Sequence, residues 1–323
     1  MMDGLGGHVL TPAQRERLHS LADVVDEEPL ASFTDDRAAR VLDRCEVLLG
    51  HWGCPRLDAD ALTLAPRLQL VAYAAGTVKD VVSPELWDRG IQVSSAAAAN
   101  AVPVAEFTLA AILFANKGVF ASREWLRDPG VRIRRPKVVG NYDKQVGIVG
   151  ASHVGRAVID RLAPFSLGIV VADPFLTEAD ADELGVRRVT LDELLRTSHV
   201  VSLHAPDVPA TRHMIGAAQL AMLGDGTTLI NTARGRLVDT EALEAEVSTG
   251  RISAVLDVTD PEPLPRSSVL HQLPNVFLTP HLAGAQGSEL GRLADLALDE
   301  VERFATGLPL RHPIRREDLD RIA

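Results

Sequence analysis

Short β-branched runs alternate with helical patterns along nearly the whole chain, and this constrains the fold more than any other feature. In the first third, EVLLGH (46–51), LQLVAYAA (68–75) and IQVSSAA (91–97) read as buried strands. Helical stretches at 34–43 and 84–88 separate them. The alternation restarts at QVGIVG (145–150) and continues through LGIVVAD (167–173), HVVSLHA (199–205), TTLINTA (227–233), ISAVLDV (252–258) and NVFLTPH (275–281). Continuous apolar strands joined through helices imply parallel sheets covered on both faces. With 323 residues there is length for two such domains. The expected fold class is α/β, two doubly wound parallel-sheet domains.

Several boundaries follow from local signals. A helix starts near Thr11, and a long helical pattern spans 103–126 with Pro103 near its first turn. Thr190-Leu-Asp-Glu193 reads as a capping box. Asp239 or Thr240 caps the next helix and Gly250 follows its end. A last helix covers about 287–306. The basic, irregular stretch around Arg132–Lys137 reads as a linker or arm. The opening segment, residues 1–10, is glycine-rich and shows no clear strand.

The stretch GIVGASHVG (147–155) follows a strand and opens a helix. Gly150 would make a tight turn and Gly155 would let the helix pack closely on the sheet. Amides of Ser152, His153 and Val154 at the helix start would then face a pyrophosphate. Ser152 stands where a middle glycine is usual. It would either displace the phosphates slightly or offer them its hydroxyl. Asp173 ends the next strand, where a carboxylate binds a ribose 2′-hydroxyl and repels a 2′-phosphate, favouring NAD(H) over NADP(H). Asp173 could also be a plain turn residue before Pro174.

Polar residues stand at successive strand ends: His204-Ala-Pro-Asp207, Asn231-Thr-Ala-Arg234-Gly235, Asp257-Val-Thr-Asp-Pro-Glu262 and Thr279-Pro-His281-Leu-Ala-Gly284. Carboxyl ends of strands are where an open α/β sheet meets its ligand. A structural sheet has no need of Arg, Asp, Glu and His at four of them.

In this order, GIVGASHVG, VVADPFL, NTARGRLVD, LDVTDPEPLP and LTPHLAGA resemble the D-isomer-specific 2-hydroxyacid dehydrogenase family. The likeness is dense over 101–291. It extends more weakly to AYAAGTVKDVV and ANAVPVAEFTLAAIL. The resemblance implies a Rossmann NAD-binding domain at 101–291 and a flavodoxin-like substrate domain at 1–100 plus 292–323. It implies an NAD-dependent oxidoreductase acting on a small 2-keto or 2-hydroxy acid, and a homodimer assembled through the region of the basic arm; the two cysteines, Cys45 and Cys54, read as reduced thiols in a cytoplasm. The family's catalytic arginine falls on Arg234, its glutamate on Glu262 and its histidine on His281. Ala75, Gly76 and Thr77 fall in its substrate-carboxylate loop, although a simple turn would also explain Gly76. Asp257 falls at the nicotinamide carboxamide. Thr232, Ala233, Ala205, Pro206 and Gly284 fall along the cofactor, and Val104 near the nicotinamide. These residue types suit the reaction, since an imidazole exchanges protons near neutral pH, a carboxylate orients it, and a guanidinium grips a carboxylate. The same family includes corepressors that sense the dinucleotide without significant turnover, which is the alternative reading.

Charge and composition narrow the partners. A net charge of −11 disfavours nucleic acid and anionic membrane surfaces. The most apolar run, 107–115, is far short of the ~20 residues of a membrane helix. The N-terminus lacks a signal-peptide pattern. Two cysteines, Cys45 and Cys54, form no metal motif, and no metal site is expected. The loop His51-Trp52-Gly53-Cys54 either lines a substrate pocket or packs. It carries no arginine to hold a substrate phosphate.

Overall fold

The computed structural model describes residues 10–127 and 140–322. Their contacts divide them into two units, 10–100 with 285–322, and 101–127 with 140–284. The basic arm around Arg132–Lys137 and the glycine-rich residues 1–9 lie outside the described residues.

The first unit holds α1 (Pro12–Leu21), α2 (Asp36–Leu42), β1 (Val47–Gly50), α3 (Ala59–Leu64), β2 (Leu70–Tyr73), α4 (Pro84–Asp88), β3 (Gln92–Ser95) and the start of α5 (Ala97–Asn116). Its three strands are parallel in the order β1-β2-β3. One face packs Leu48, Val71, Tyr73 and Val93 against Leu42, Leu62 and Leu86. The opposite face sets Leu70 and Ala72 against Val301. Alternate side chains of each strand thus enter different layers, as the period of two requires. Among the described residues the order of this sheet does not reverse. The reversal that defines a doubly wound sheet is found in the second unit.

That second unit continues through α6 (Val119–Arg127), β4 (Lys144–Val149), α7 (His153–Leu162), β5 (Leu167–Ala172), α8 (Glu178–Glu183), β6 (Arg187–Arg188), α9 (Leu191–Thr197), β7 (Val200–Leu203), α10 (Ala217–Met222), β8 (Thr228–Asn231), α11 (Thr240–Ser248), β9 (Ser253–Leu256) and β10 (Val276–Leu278). The seven parallel strands run β10-β9-β8-β7-β4-β5-β6. The chain enters at β4, steps outward to β6, then returns to lay β7 on the other side of β4. This is a Rossmann order with its switch point between β4 and β7. Ile148, Val171, Ile230 and Val255 meet helices α5 and α7. Their neighbours Val149, Val170, Leu229 and Ala254 meet α9, α10 and α11.

Some boundaries differ from the sequence reading. The long helix begins at Ala97, placing Pro103 in its interior. The alanine run 96–99 has the highest helix propensity, and the Ser95 hydroxyl accepts the Ala97 amide at 3.2 Å. The pattern also breaks before 126, at Gly118, whose φ of 64° ends α5. At 20 residues α5 is long and apolar enough, by length and composition, to cross a membrane. The expectation from 107–115 alone was shorter. Here Ala105 and Ile112 lie in the core of the second unit. The chain leaves that unit after Gly284, earlier than the boundary at 291. Ala285 donates its amide to Asn100 Oδ1 at 3.0 Å and packs with Ala96 and Leu293. Then α12 (Leu290–Ala305) closes the first unit. Thr190 caps α9 through the Glu193 amide, but the Glu193 carboxylate pairs with Arg187 at 2.5 Å, so the reciprocal half of the box is not made.

Candidate active site and cofactor turn

The turn after β4 is shaped by its two glycines. Gly150 has φ 97°, and a Cβ there would lie 2.7 Å from the Ala205 amide at the end of β7. A Cβ on Gly155 would fall 2.1 Å from the Gly150 carbonyl oxygen. Both positions therefore exclude any side chain. Ser152 is the N-cap of α7, and its Oγ accepts the Gly155 amide at 3.3 Å. With φ −66° it needs none of glycine's freedom. As the acceptor in that bond, the hydroxyl keeps its own proton free to donate. The amides of Ser152, His153 and Val154 are among those a helix start leaves without an intrahelical acceptor. A turn with these donors and no acidic side chain on it fits a pyrophosphate.

Asp173 stands at the end of β5. One carboxylate oxygen accepts the Ala151 amide at 2.7 Å and the other the Phe175 amide at 2.7 Å. The residue thus clamps the phosphate turn to the neighbouring strand while each oxygen keeps a second lone pair. Ala205 and Pro206 follow β7 beside the turn. Thr232 follows β8 and is buried, with its hydroxyl 2.9 Å from Thr108 of α5. Val104 is buried on α5, and Gly284 closes the last segment of this unit.

Arg234 sits on a braced turn. Asn231 Nδ2 donates to the Arg234 carbonyl at 2.8 Å, while Asn231 Oδ1 accepts the Ala233 amide at 3.1 Å. Gly235 has no room for a Cβ, which would meet the Thr259 carbonyl at 2.0 Å. This locks the arginine turn against the segment leading to Glu262. The Arg234 guanidinium donates to the Ala233 carbonyl at 2.7 Å. His281 Nδ1 lies 2.7 Å from Glu262 Oε1, with both side chains half-exposed. The His281 backbone is left-handed, φ 54°, a conformation that non-glycine residues hold only where surroundings impose it. Asp257 is buried and accepts from Thr279 Oγ1 at 2.6 Å, the Leu282 amide at 2.9 Å and the Ala283 amide at 2.9 Å.

Two further histidines make contacts inside the second unit. His204 is buried with Nε2 2.9 Å from Ser202 Oγ, and burial pushes its imidazole down to about 3. His199 Nδ1 accepts the Gln145 amide at 3.2 Å. Among the described residues no His, Cys, Asp or Glu cluster could hold a metal.

In the first unit, Ala75, Gly76 and Thr77 follow β2. A Cβ on Gly76 would meet nothing closer than Asn100 Nδ2 at 3.6 Å. Neither packing nor a positive φ demands glycine there. Trp52 packs with Ala96, Ala285 and Leu293. Sequence reasoning did not single out Asn231, Thr108 or Thr279. Asn231 and Thr279 stood within quoted motifs, and small polar residues flanking the charged ones were the available signal.

Residues 109–283 match the model of the D-isomer specific 2-hydroxyacid dehydrogenase NAD binding domain. The chain is 34% identical over 273 residues to a glyoxylate reductase of Korarchaeum cryptofilum, covering 83% of this chain and 82% of that one. It is 29% identical over 298 residues to a hydroxypyruvate reductase of Thermotoga maritima, covering 91% and 95%. A D-3-phosphoglycerate dehydrogenase of Methanocaldococcus jannaschii is 29% identical over 302 residues, and the chain spans 57% of its length. Among solved structures, a phosphoglycerate oxidoreductase from Rhizobium etli superposes with a TM-score of 0.80 at 26% identity, covering 96% of this chain and 94% of that one. The chain belongs to the D-isomer specific 2-hydroxyacid dehydrogenase family, with the family's NAD binding domain in its second unit.

Proposed function

We propose that the chain interconverts a 2-keto acid and a D-2-hydroxy acid with NAD(H), using His281 as general acid and base. The observation that carries this reading is the 2.7 Å contact between His281 Nδ1 and Glu262. With the carboxylate accepting from Nδ1–H, the proton exchanged with the reactant is held at Nε2. When bound, the nicotinamide supplies or accepts the hydride at C2. In the reductive direction the ketone oxygen gains negative charge, and the His281 imidazolium neutralises it by donating from Nε2. Arg234 offers its guanidinium fork to the substrate carboxylate. Ala75, Gly76 and Thr77 are proposed to bind a carboxylate through their backbone N–H groups. The open space at Gly76 supports this role.

The phosphate turn and Asp173 support NAD(H) over NADP(H), because a second phosphate would face the Asp173 carboxylate. Asp257, Thr232, Ala233, Ala205, Pro206, Val104 and Gly284 remain proposed neighbours of the cofactor. Ser152→Gly is expected to change the NADH Kd by no more than about tenfold. Loss of an N-cap side chain to glycine costs the helix only a few tenths of a kcal/mol. Fluorescence titration of both proteins measures this. NADH binding that appears only after the replacement would contradict a working turn.

The chain is also proposed to be a cytoplasmic homodimer. Phe114, Leu126 and Tyr142 are exposed large apolar side chains on the second unit, and both cysteines are free thiols. Incubating the purified chain with NADH and a panel of 2-keto acids tests the main proposal. Glyoxylate and hydroxypyruvate come first, given the relatives' names, followed by pyruvate and phenylpyruvate. NADH consumption with at least one is expected. Tight NADH binding without consumption of any would favour a dinucleotide sensor instead.

A further inference from the structure

The hydrogen bonds around Asp257 point to a role beside the cofactor contact implied by resemblance. Its carboxylate accepts three bonds, all from the segment that carries His281. Thr279 Oγ1 and the Leu282 amide meet Oδ1 at 2.6 and 2.9 Å, and the Ala283 amide meets Oδ2 at 2.9 Å. The Asp257 carbonyl accepts the His281 amide at 2.9 Å. Contacts on both sides of His281 therefore converge on one residue. Asp257 is in turn fixed from β8, since its amide donates to the Asn231 carbonyl at 3.0 Å, and Asn231 braces the Arg234 turn.

We propose that Asp257 is a positioning residue that holds the left-handed turn at His281, so that the imidazole stays aligned with Glu262. Two observations support it. First, His281 has φ 54°, which a non-glycine residue keeps only under outside constraint. Second, three of the roughly four lone-pair sites of the carboxylate are committed to this segment. An ionised acceptor buried at 2% exposure makes such bonds about twice as strong as neutral ones. The same groups explain why Asp, rather than Asn, suits position 257. An amide nitrogen in place of Oδ2 would face the Ala283 N–H, donor against donor.

This inference rests on the reading of His281 as the proton donor, so the test separates the two. Four variants of the full chain, Asp257→Asn, Thr279→Val, Thr279→Ser and His281→Ala, are compared with the parent. Three quantities are measured: kcat at saturating NADH and 2-keto acid, NADH Kd by fluorescence titration, and hydrogen exchange at the Leu282 and Ala283 amides. Displacement of a reacting group by ~1 Å can cost on the order of a hundredfold. Asp257→Asn is thus expected to lower kcat at least about tenfold, with NADH Kd within about threefold of the parent. Exchange at Leu282 and Ala283 should accelerate. Thr279→Val should move the same readouts less, and Thr279→Ser should restore them. Unchanged exchange at both amides in Asp257→Asn and Thr279→Val would overturn the proposal, whatever the turnover. So would a loss of NADH affinity with kcat intact. If Asp257→Asn does not fold, the threonine pair decides by the same criteria. If His281→Ala retains full kcat, the reading of His281 fails. If only His281→Ala is impaired, the positioning role fails and that reading stands.

Discussion

His281→Ala is expected to lower kcat for 2-keto acid reduction by about 10²- to 10⁴-fold, the range lost when a positioned general acid is removed. NADH affinity should be unchanged, because the phosphate turn and Asp173 clamp depend on β4, β5 and α7 rather than on the segment after β10. The substitution should also leave stability near that of the parent. His281 is half-exposed, and its turn is held through backbone bonds from Leu282 and Ala283 to Asp257. A left-handed residue is not improved by alanine, but the Asp257 contacts remain. Steady-state kinetics of the parent and the variant measure the loss, and fluorescence titration measures NADH affinity.

Arg234→Ala is expected to act mainly through substrate. Removing one partner of a hydrogen-bonded charge pair costs ~2–5 kcal/mol, about thirty- to several-thousand-fold in kcat/KM. Most of that should come as a raised KM for the 2-keto acid, because the guanidinium is proposed to grip the substrate carboxylate. Melting temperature should move little. The Arg234 backbone is fixed by Asn231 and by Gly235 packing on Thr259, and neither contact uses the guanidinium. Arg234→Lys should recover part of the loss only, since an ammonium cannot reproduce the planar fork. An unchanged KM in Arg234→Ala would place the carboxylate elsewhere.

The strands of both sheets other than β6 were legible because buried parallel strands are written as apolar, β-branched-rich runs, whereas β6 is two exposed arginines. Caps at Asp239 and Thr190 and the glycine at Gly250 marked helix ends through their hydrogen-bonding chemistry. The start of α5 was obscured by Pro103, which reads as a first-turn residue. The alanines upstream carry no amphipathic pattern to show that the helix already runs there. Gly118 did carry a stop signal, overridden by the apolar run before it.

At the site, charged residues at strand ends stood out, and the His281–Glu262 pair is among those brought together. The partners that hold the site were harder to see. Asn231 braces its own turn through two side-chain hydrogen bonds and Thr279 reaches Asp257 through one, and nothing in the sequence separates these residues from ordinary turn residues. Ser152 shows the same limit. Read against a glycine template it was an irregularity. In the structure it is the helix cap, a role that small polar residues at helix starts commonly take.

The central claim is that this chain moves a hydride between a dinucleotide and C2 of a small acid. The most direct measurement is a reaction with NADH deuterated at its transferable position and the best 2-keto acid of the panel, followed by chiral separation of the product. Transfer of the deuterium to C2 of the D-2-hydroxy acid, slowed about 10²- to 10⁴-fold in His281→Ala, is the predicted result. Deuterium retained on the dinucleotide with every 2-keto acid, although NADH binds, would contradict it, as would an L-configured product.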